Sequence, residues 1–140
     1  MGNRLRIVVD TNALLVAIPS YSKYHWLYKA IIDKELDVFI TNEILNEYEE
    51  KIEHRLGVET AQSVIRILME LENVYATIVY YKFQLITADP DDDKFADCAF
   101  ASNAHFLITN DKHFNILEKN VFPKIRAIKI EDFKNKLMSE

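Results

Sequence analysis

Cysteine, glycine and proline are all scarce in this chain: 1 Cys, 2 Gly and 3 Pro among 140 residues. A lone cysteine, Cys98, excludes an intramolecular disulfide and any zinc site built on several thiolates, and it suits a reducing compartment. Two glycines leave almost nothing from which to build a glycine-rich phosphate loop, and no Walker A pattern is present. No Gly-x-Ser-x-Gly elbow supports a serine nucleophile. The four histidines, His25, His54, His105 and His113, are scattered without metal-ligand spacing and read as surface residues. No apolar run approaches the roughly 18 residues that cross a membrane. Met1-Gly2-Asn3-Arg4 leads at once into a strand-like segment, so no signal peptide is expected and the cytoplasm is the expected location.

What the chain does contain is ordinary globular material, 49% hydrophobic and 28% charged, enough for one domain spanning 1–140 with a real core. The formal net charge of −5 runs against the basic surface that phosphate binding usually requires. It is less awkward if several carboxylates gather in one place, where a bound cation offsets their repulsion.

Hydrophobic periodicity alternates between strands and helices. Arg6 to Val9 reads as a short buried strand, Ala13 to Ala17 as a short helix ended by Pro19, and Tyr24 to Asp33 as a second helix. Val38 to Ile40 is a strand. Thr41 looks like the N-cap of a helix carrying Ile44, Leu45, Tyr48 and Ile52, and Gly57 is placed to end it. A further helix is expected over Thr60 to Leu71 and a strand over Val74 to Tyr80. The block Ala88 to Asp93 reads as a turn into a helix with Phe95, Ala96, Ala99 and Phe100. Phe106 to Ile108 is a strand, Phe114 to Leu117 a helical turn, Ile125 to Ile130 a last strand and Glu131 to Leu137 a closing helix. The alternation predicts an α/β domain with a mostly parallel sheet.

Two strands end alike, Ile7-Val8-Val9-Asp10 and Phe106-Leu107-Ile108-Thr109-Asn110-Asp111. Ligands of open parallel sheets bind beyond the carboxyl ends of the strands, which puts Asp10 and Asp111 on the functional edge. The plainer reading is that each carboxylate caps the helix after it. Asp92 lies three, four and seven residues before Phe95, Ala96 and Ala99, so on a helix it shares their buried face, where a carboxylate needs a partner or a metal. Asp93 and Asp97 rotate away from that face and read as more solvated. The run Asp91-Asp92-Asp93 also suits a helix start favoured by the macrodipole. Glu43, Glu47, Glu49, Glu50 and Glu53 crowd one helix, and periodicity does not choose among them.

Taken in order, these segments resemble the motifs of PIN domains. Val9-Asp10-Thr11-Asn12 resembles the first motif and Thr41-Asn42-Glu43-Ile44-Leu45-Asn46-Glu47 the second, ending on its acid. Asp92-Asp93-Lys94-Phe95-Ala96-Asp97-Cys98-Ala99 is similar to the third, with its principal acid at Asp92, and Leu107-Ile108-Thr109-Asn110-Asp111 to the fourth. The resemblance covers nearly the whole chain. It implies a three-layer α/β/α PIN-like fold and a magnesium- or manganese-dependent endoribonuclease like the toxins of prokaryotic toxin–antitoxin pairs. It also implies an antitoxin partner and a homodimer. Asp10, Glu47, Asp92 and Asp111 would be catalytic, with Asp10, Asp92, Asp111 and Asp97 as ligands and Asp93 as a further candidate.

Such residues suit the chemistry. Hard cations take oxygen ligands and keep several waters, so carboxylates from separate elements can form an open cage with room for water and phosphate. The expected reaction is hydrolysis by water under metal activation, without a covalent enzyme intermediate. Glu47 would ligate or act as base, while Asn12 and Thr109 would orient ligands or phosphate. Lys51, His54, Arg55, Lys112 and His113 are basic residues that could meet RNA. Trp26, Tyr24 and Tyr28 could stack bases, although aromatics at that spacing usually pack in a core. A receiver domain fits poorly, because Lys129 falls inside a strand. The alternative function is a PIN-like RNA- or protein-binding module without catalysis.

Overall fold

A computed structural model describes residues 4–86, 89–120 and 122–139. The expected opening at Met1 to Asn3 and the start of the turn at Ala88 lie outside these residues. The sheet comprises β1 (Leu5–Val9), β2 (Leu36–Ile40), β3 (Val74–Ala76), β4 (Phe106–Ile108) and β5 (Ala127–Ile128). Its order is β3-β2-β1-β4-β5, and every described pairing is parallel. The helices are α1 (Thr11–Ala17), α2 (His25–Ile32), α3 (Asn42–Leu56), α4 (Val58–Glu70), α5 (Asp93–Ala101) and α6 (Ile130–Ser139). Two 3-10 segments, Pro90–Asp92 and Lys112–Lys119, complete the described elements. The architecture is the expected three-layer α/β/α fold.

The β1 sequence explains its central place. Ile7, Val8 and Val9 are all buried, as a parallel strand covered on both faces requires. Helix α5 packs on β1, β2 and β4, α2 on β2, and α4 on β3 and α3. Two polar side chains inside this core donate to backbone carbonyls, although Asn73 Oδ1 is buried without a partner among the described residues. The Asn73 amide donates to the carbonyls of Ile31 at 2.9 Å and Leu36 at 2.7 Å, tying the end of α2 to the start of β2. The Tyr48 hydroxyl, on the buried face of α3, donates to the carbonyl of Val9 at the carboxyl end of β1.

Helix starts and stops follow the side chains present. The Thr41 hydroxyl accepts the Ile44 N–H at 3.1 Å, and Gly57 ends α3 at φ 99°, a conformation that L side chains rarely adopt. Two expected strands are shorter than their apolar runs. After the Thr77 N–H reaches the Ile40 carbonyl, the chain leaves the sheet, and the Phe83 N–H goes to the Asp97 carboxylate instead. At the other edge, the Asn110 side chain accepts the Ile130 N–H at 3.0 Å, which turns the chain into α6 after only two paired residues of β5. Lys129 therefore stands between β5 and α6 rather than inside a strand.

Chain order gives the sheet a single reversal. Connections from β1 run outward to β2 and β3, and the chain then crosses back to β4 on the other side of β1. The carboxyl ends of β1 and β4 therefore meet at the switch point where open sheets bind their ligands. Val9 is paired with Ile108, so the next residues, Asp10 and Thr109, emerge side by side.

Candidate metal centre

Asp10 is held from both sides. Its N–H extends the ladder to the Ile108 carbonyl at 3.1 Å. Oδ1 caps α1 by accepting the Ala13 N–H at 2.7 Å, and Oδ2 accepts the Thr109 hydroxyl. Capping and site formation are thus not rival readings, because one oxygen does each. Thr109 Oγ1 also accepts the Asp111 N–H at 3.0 Å, so a single hydroxyl fixes two of the expected acids. Asp111 in turn caps the 3-10 segment, its Oδ1 accepting the His113 N–H at 2.9 Å.

Asp92 reaches the same place differently from expectation. It belongs to the 3-10 turn Pro90–Asp92 and stands at the cap position of α5, not on the buried face of that helix. Its Oδ2 is buried without a hydrogen-bond partner. The His113 imidazole stands beside it, with Nδ1 at 3.7 Å, beyond hydrogen-bonding reach. His113 Nδ1 also lies 3.4 Å from Asp111 Oδ1. Ligand atoms of Asp89, Asp92 and His113 lie within 4.8 Å of one another.

Electrostatics tie these acids together. Burial pushes the Asp10 carboxyl up to about 6, against the hydrogen bonds from Thr109 and Ala13, with Asp111 and Glu47 adding repulsion. Asp92 is also pushed up to about 6, by burial first and then by Asp89, Asp111 and Asp10. An acid pocket that raises its own pKa values in this way is short of positive charge. An orphaned buried carboxylate oxygen fits a divalent cation at Asp92, where Asp89 and His113 bring ligand atoms within 4.8 Å and Asp10 and Asp111 are near enough to repel its charge.

Glu47 is the half-buried member of the five glutamates on α3; the other four are exposed. Its Oε2 accepts the Thr11 hydroxyl and its Oε1 meets the Lys94 ammonium at 2.7 Å. Together with Asp10, Asn12, Lys51, Asp89, Asp91, Asp92 and Phe95, Glu47 and Thr11 line a cleft of about 180 Å³, with Lys94 behind Glu47 in the neighbouring cleft. Asn12 is exposed on its rim, and Lys112 is exposed beside Asp111.

Asp97 is placed apart. It is only 5% exposed, not solvated as its rotation on α5 suggested, because the segment after β3 covers it and supplies the Phe83 N–H at 3.1 Å. It lines a neighbouring cleft with Glu43, Lys82, Asp93 and Lys94 rather than the cleft of Asp10. Asp93 accepts the Ile86 N–H at 2.8 Å.

Asp89 and Lys94 were not found from the sequence, and His113 was read only as a surface base that could meet RNA. His113 carried a local signal, since a residue two places after a capping aspartate folds back toward it. Asp89 carried another, as an N-cap before Pro90. Lys94 carried none, because its partner Glu47 is distant in sequence and brought near only by the fold. Other sequence candidates resolve into packing: Trp26 stacks on Phe133 at 6.3 Å and Tyr28 is buried. Cys98 is buried, and burial pushes its thiol up to about 12, which keeps it neutral and unreactive.

This combination, a parallel sheet with acids converging at the β1/β4 switch point, defines a PIN-like α/β protein. The PIN domain family model matches residues 6–113, a span containing Asp10, Glu47, Asp92 and Asp111, and the chain belongs to this family. Solved structures agree on the fold. A chain of the VapBC2 complex of Rickettsia felis, bound to a DNA fragment from its promoter, superposes with a TM-score of 0.61 at 19% identity, covering 89% of this chain and 98% of that one. PAE2754 of Pyrobaculum aerophilum gives 0.59 at 19% identity, covering 99% and 100%. VapC20 of Mycobacterium tuberculosis, a sarcin-ricin loop cleaving toxin, gives 0.56 at 15% identity, covering 78% and 92%. No curated protein matches the chain by sequence. Among the described residues, no helix is long and apolar enough to cross a membrane.

Proposed function

We propose that this chain is a divalent-metal-dependent endoribonuclease, using magnesium or manganese, and the toxin of a toxin–antitoxin pair. The observation that carries the reading is the buried, unpartnered Oδ2 of Asp92 in a cleft shared with Asp10 and within electrostatic reach of Asp111. Membership of the PIN family and the fold shared with VapC20, itself a toxin that cleaves an RNA loop, support RNA as substrate. The fold shared with a VapBC complex supports an antitoxin partner. A cytoplasmic homodimer completes the proposal, and light scattering on the purified chain tests the dimer.

Asp10, Asp92 and Asp111 would hold the cation. When bound, it supplies Lewis acidity that activates water and neutralises charge gathering on the phosphate. The chain does the rest. Thr109 keeps the Asp10 and Asp111 carboxylates in register, so neither has to be ordered at the moment of reaction. Glu47, clamped by Thr11 and Lys94, serves as acceptor for the proton of the attacking water through the lone pairs that these two contacts leave. The water oxygen adds to phosphorus as its proton passes to Glu47, the bond to the leaving oxygen breaks, and that oxygen takes a proton from solvent water. Asn12 and Lys51 at the rim, with Lys112 beside Asp111, contact the phosphate backbone.

The test is cleavage of a labelled single-stranded RNA panel by wild type and Asp10→Asn in manganese, magnesium or EDTA. Cleavage that needs metal and disappears in the variant is the expected result. RNA binding that is indifferent to metal, without turnover, would replace this reading with a binding module.

A further inference from the structure

We propose that the Lys94 ammonium is the resident cation of the Glu47 half of this site, so that the pocket takes one divalent ion rather than two. The inference rests on the metal-dependent reading above and assigns its stoichiometry.

The acids of the cleft divide by what neutralises them. In one half, Lys94 Nζ stands 2.7 Å from Glu47 Oε1, with the lysine side chain 11% exposed and the glutamate side chain 22%. The ammonium also donates to the Asp91 carbonyl, and it lies 5.4 Å from the centroid of the Phe95 ring. Lysine is costly to hold this far from water unless its charge is used, and here it is matched to a single carboxylate. The other Glu47 oxygen is occupied by the Thr11 hydroxyl, whose backbone is fixed in the first turn of α1. Both oxygens of Glu47 are therefore engaged by the protein.

The other half has no such provision. Among the described residues, neither Lys nor Arg pairs with Asp10, Asp92 or Asp111; the neighbour of Asp92 and Asp111 is the His113 imidazole. Asp92 Oδ2 is left without a partner. Positive charge is missing here and already supplied at Glu47.

Two-metal nucleases place their ions about 4 Å apart on shared carboxylates. Asp89 and His113 gather around Asp92 and serve the same ion as the aspartates, so a second ion would need Glu47 and would have to displace Lys94 or lie against it. Both are unfavourable, because the ammonium repels the ion and would be left buried without its counter-charge. Lys94 thus acts through Glu47 as a positioning residue. It neutralises that carboxylate and fixes its direction, while a single divalent ion serves the three aspartates.

The experiment counts manganese on the full-length chain, stripped with chelator and titrated with Mn2+ alone. Calorimetry gives the stoichiometry, and electron paramagnetic resonance of free Mn2+ checks it. Wild type is expected to bind one ion. Lys94→Met should gain a second, weaker ion at the freed Glu47, whereas Lys94→Arg, which keeps the charge, should stay at one. Glu47→Gln should leave the affinity of the single ion within about threefold, while Asp92→Asn should lower it at least about tenfold. Melting curves establish that each variant is folded. Two ions on wild type would overturn the proposal, and that count does not depend on any variant folding. A folded Lys94→Met that still binds one ion would overturn it as well. RNA cleavage with two bound ions would remove the stoichiometry and leave the nuclease reading standing. No bound manganese and no cleavage would remove both.

Discussion

Replacing Asp10 by Asn should make the metal-free protein more stable at neutral pH. The Asp10 carboxyl is raised from 3.8 to about 6, with burial the leading cause. A shift of that size corresponds to roughly 3 kcal/mol of penalty on the ionised form. The sign follows from linkage. Because the folded pKa lies above the unfolded one, protonated Asp10 contributes its full stability below about 3.8, and that contribution is lost as pH rises through about 6. Asn removes the charge and keeps Oδ1 as acceptor for the Ala13 N–H. Its amide, however, meets the Thr109 hydroxyl as a second donor, which returns about 1 kcal/mol. The net gain is about 1–3 kcal/mol near pH 7.5, or roughly 3–10 °C in melting temperature for a chain of this size. It should shrink toward zero or below near about pH 4. Thermal and urea melts in EDTA at both pH values measure it. If Asp10→Asn is less stable than wild type at pH 7.5 without metal, or if the difference ignores pH, the pocket is not the repulsive acid site described here.

Other consequences follow from the same contacts. Thr109→Val should cost about 1–2 kcal/mol and weaken manganese binding, because one hydroxyl orders both Asp10 and Asp111; urea melts and calorimetry read the two effects. Manganese should bind more tightly near pH 7.5 than near pH 5, by up to about a hundredfold per pH unit well below the shared value, about tenfold for each of Asp10 and Asp92, which near about 6 must lose protons to ligate. Calorimetry in buffers of different ionisation enthalpy should also detect the released protons. Tyr48→Phe should cost about 1–2 kcal/mol by withdrawing the hydroxyl from the Val9 carbonyl at the carboxyl end of β1, measurable as a lower urea midpoint.

Much of the fold was legible because its signals are local. The all-apolar Ile7-Val8-Val9 run announces a strand buried on both faces, and Thr41 and Gly57 bracket α3 by cap chemistry. The ends of β3 and β5 were not legible, because side chains distant in sequence settle them: Asp97 takes the Phe83 N–H and Asn110 the Ile130 N–H. The site divides in the same way. Asp10 and Asp111 can be placed from equivalent strand ends, a property of the chain's own order. Asp92 was selected by a helical facing that it does not have, since it ends a 3-10 turn; its place in the pocket comes from the turn itself. Asp97 was read as solvated because the segment that covers it has no signature in the spacing of α5. Lys94 was invisible because a pair such as Lys94–Glu47 is made by tertiary packing alone.

The central claim is that three aspartates from β1, β4 and the turn before α5 share one divalent cation. Manganese soaked into crystals of the wild-type chain, with data collected for its anomalous signal, tests this most directly. The account predicts one strong anomalous peak bounded by the carboxylates of Asp10, Asp92 and Asp111, absent from Asp92→Asn crystals treated identically. A peak in the neighbouring cleft of Glu43, Asp93 and Asp97, or an empty map at saturating manganese, would contradict it.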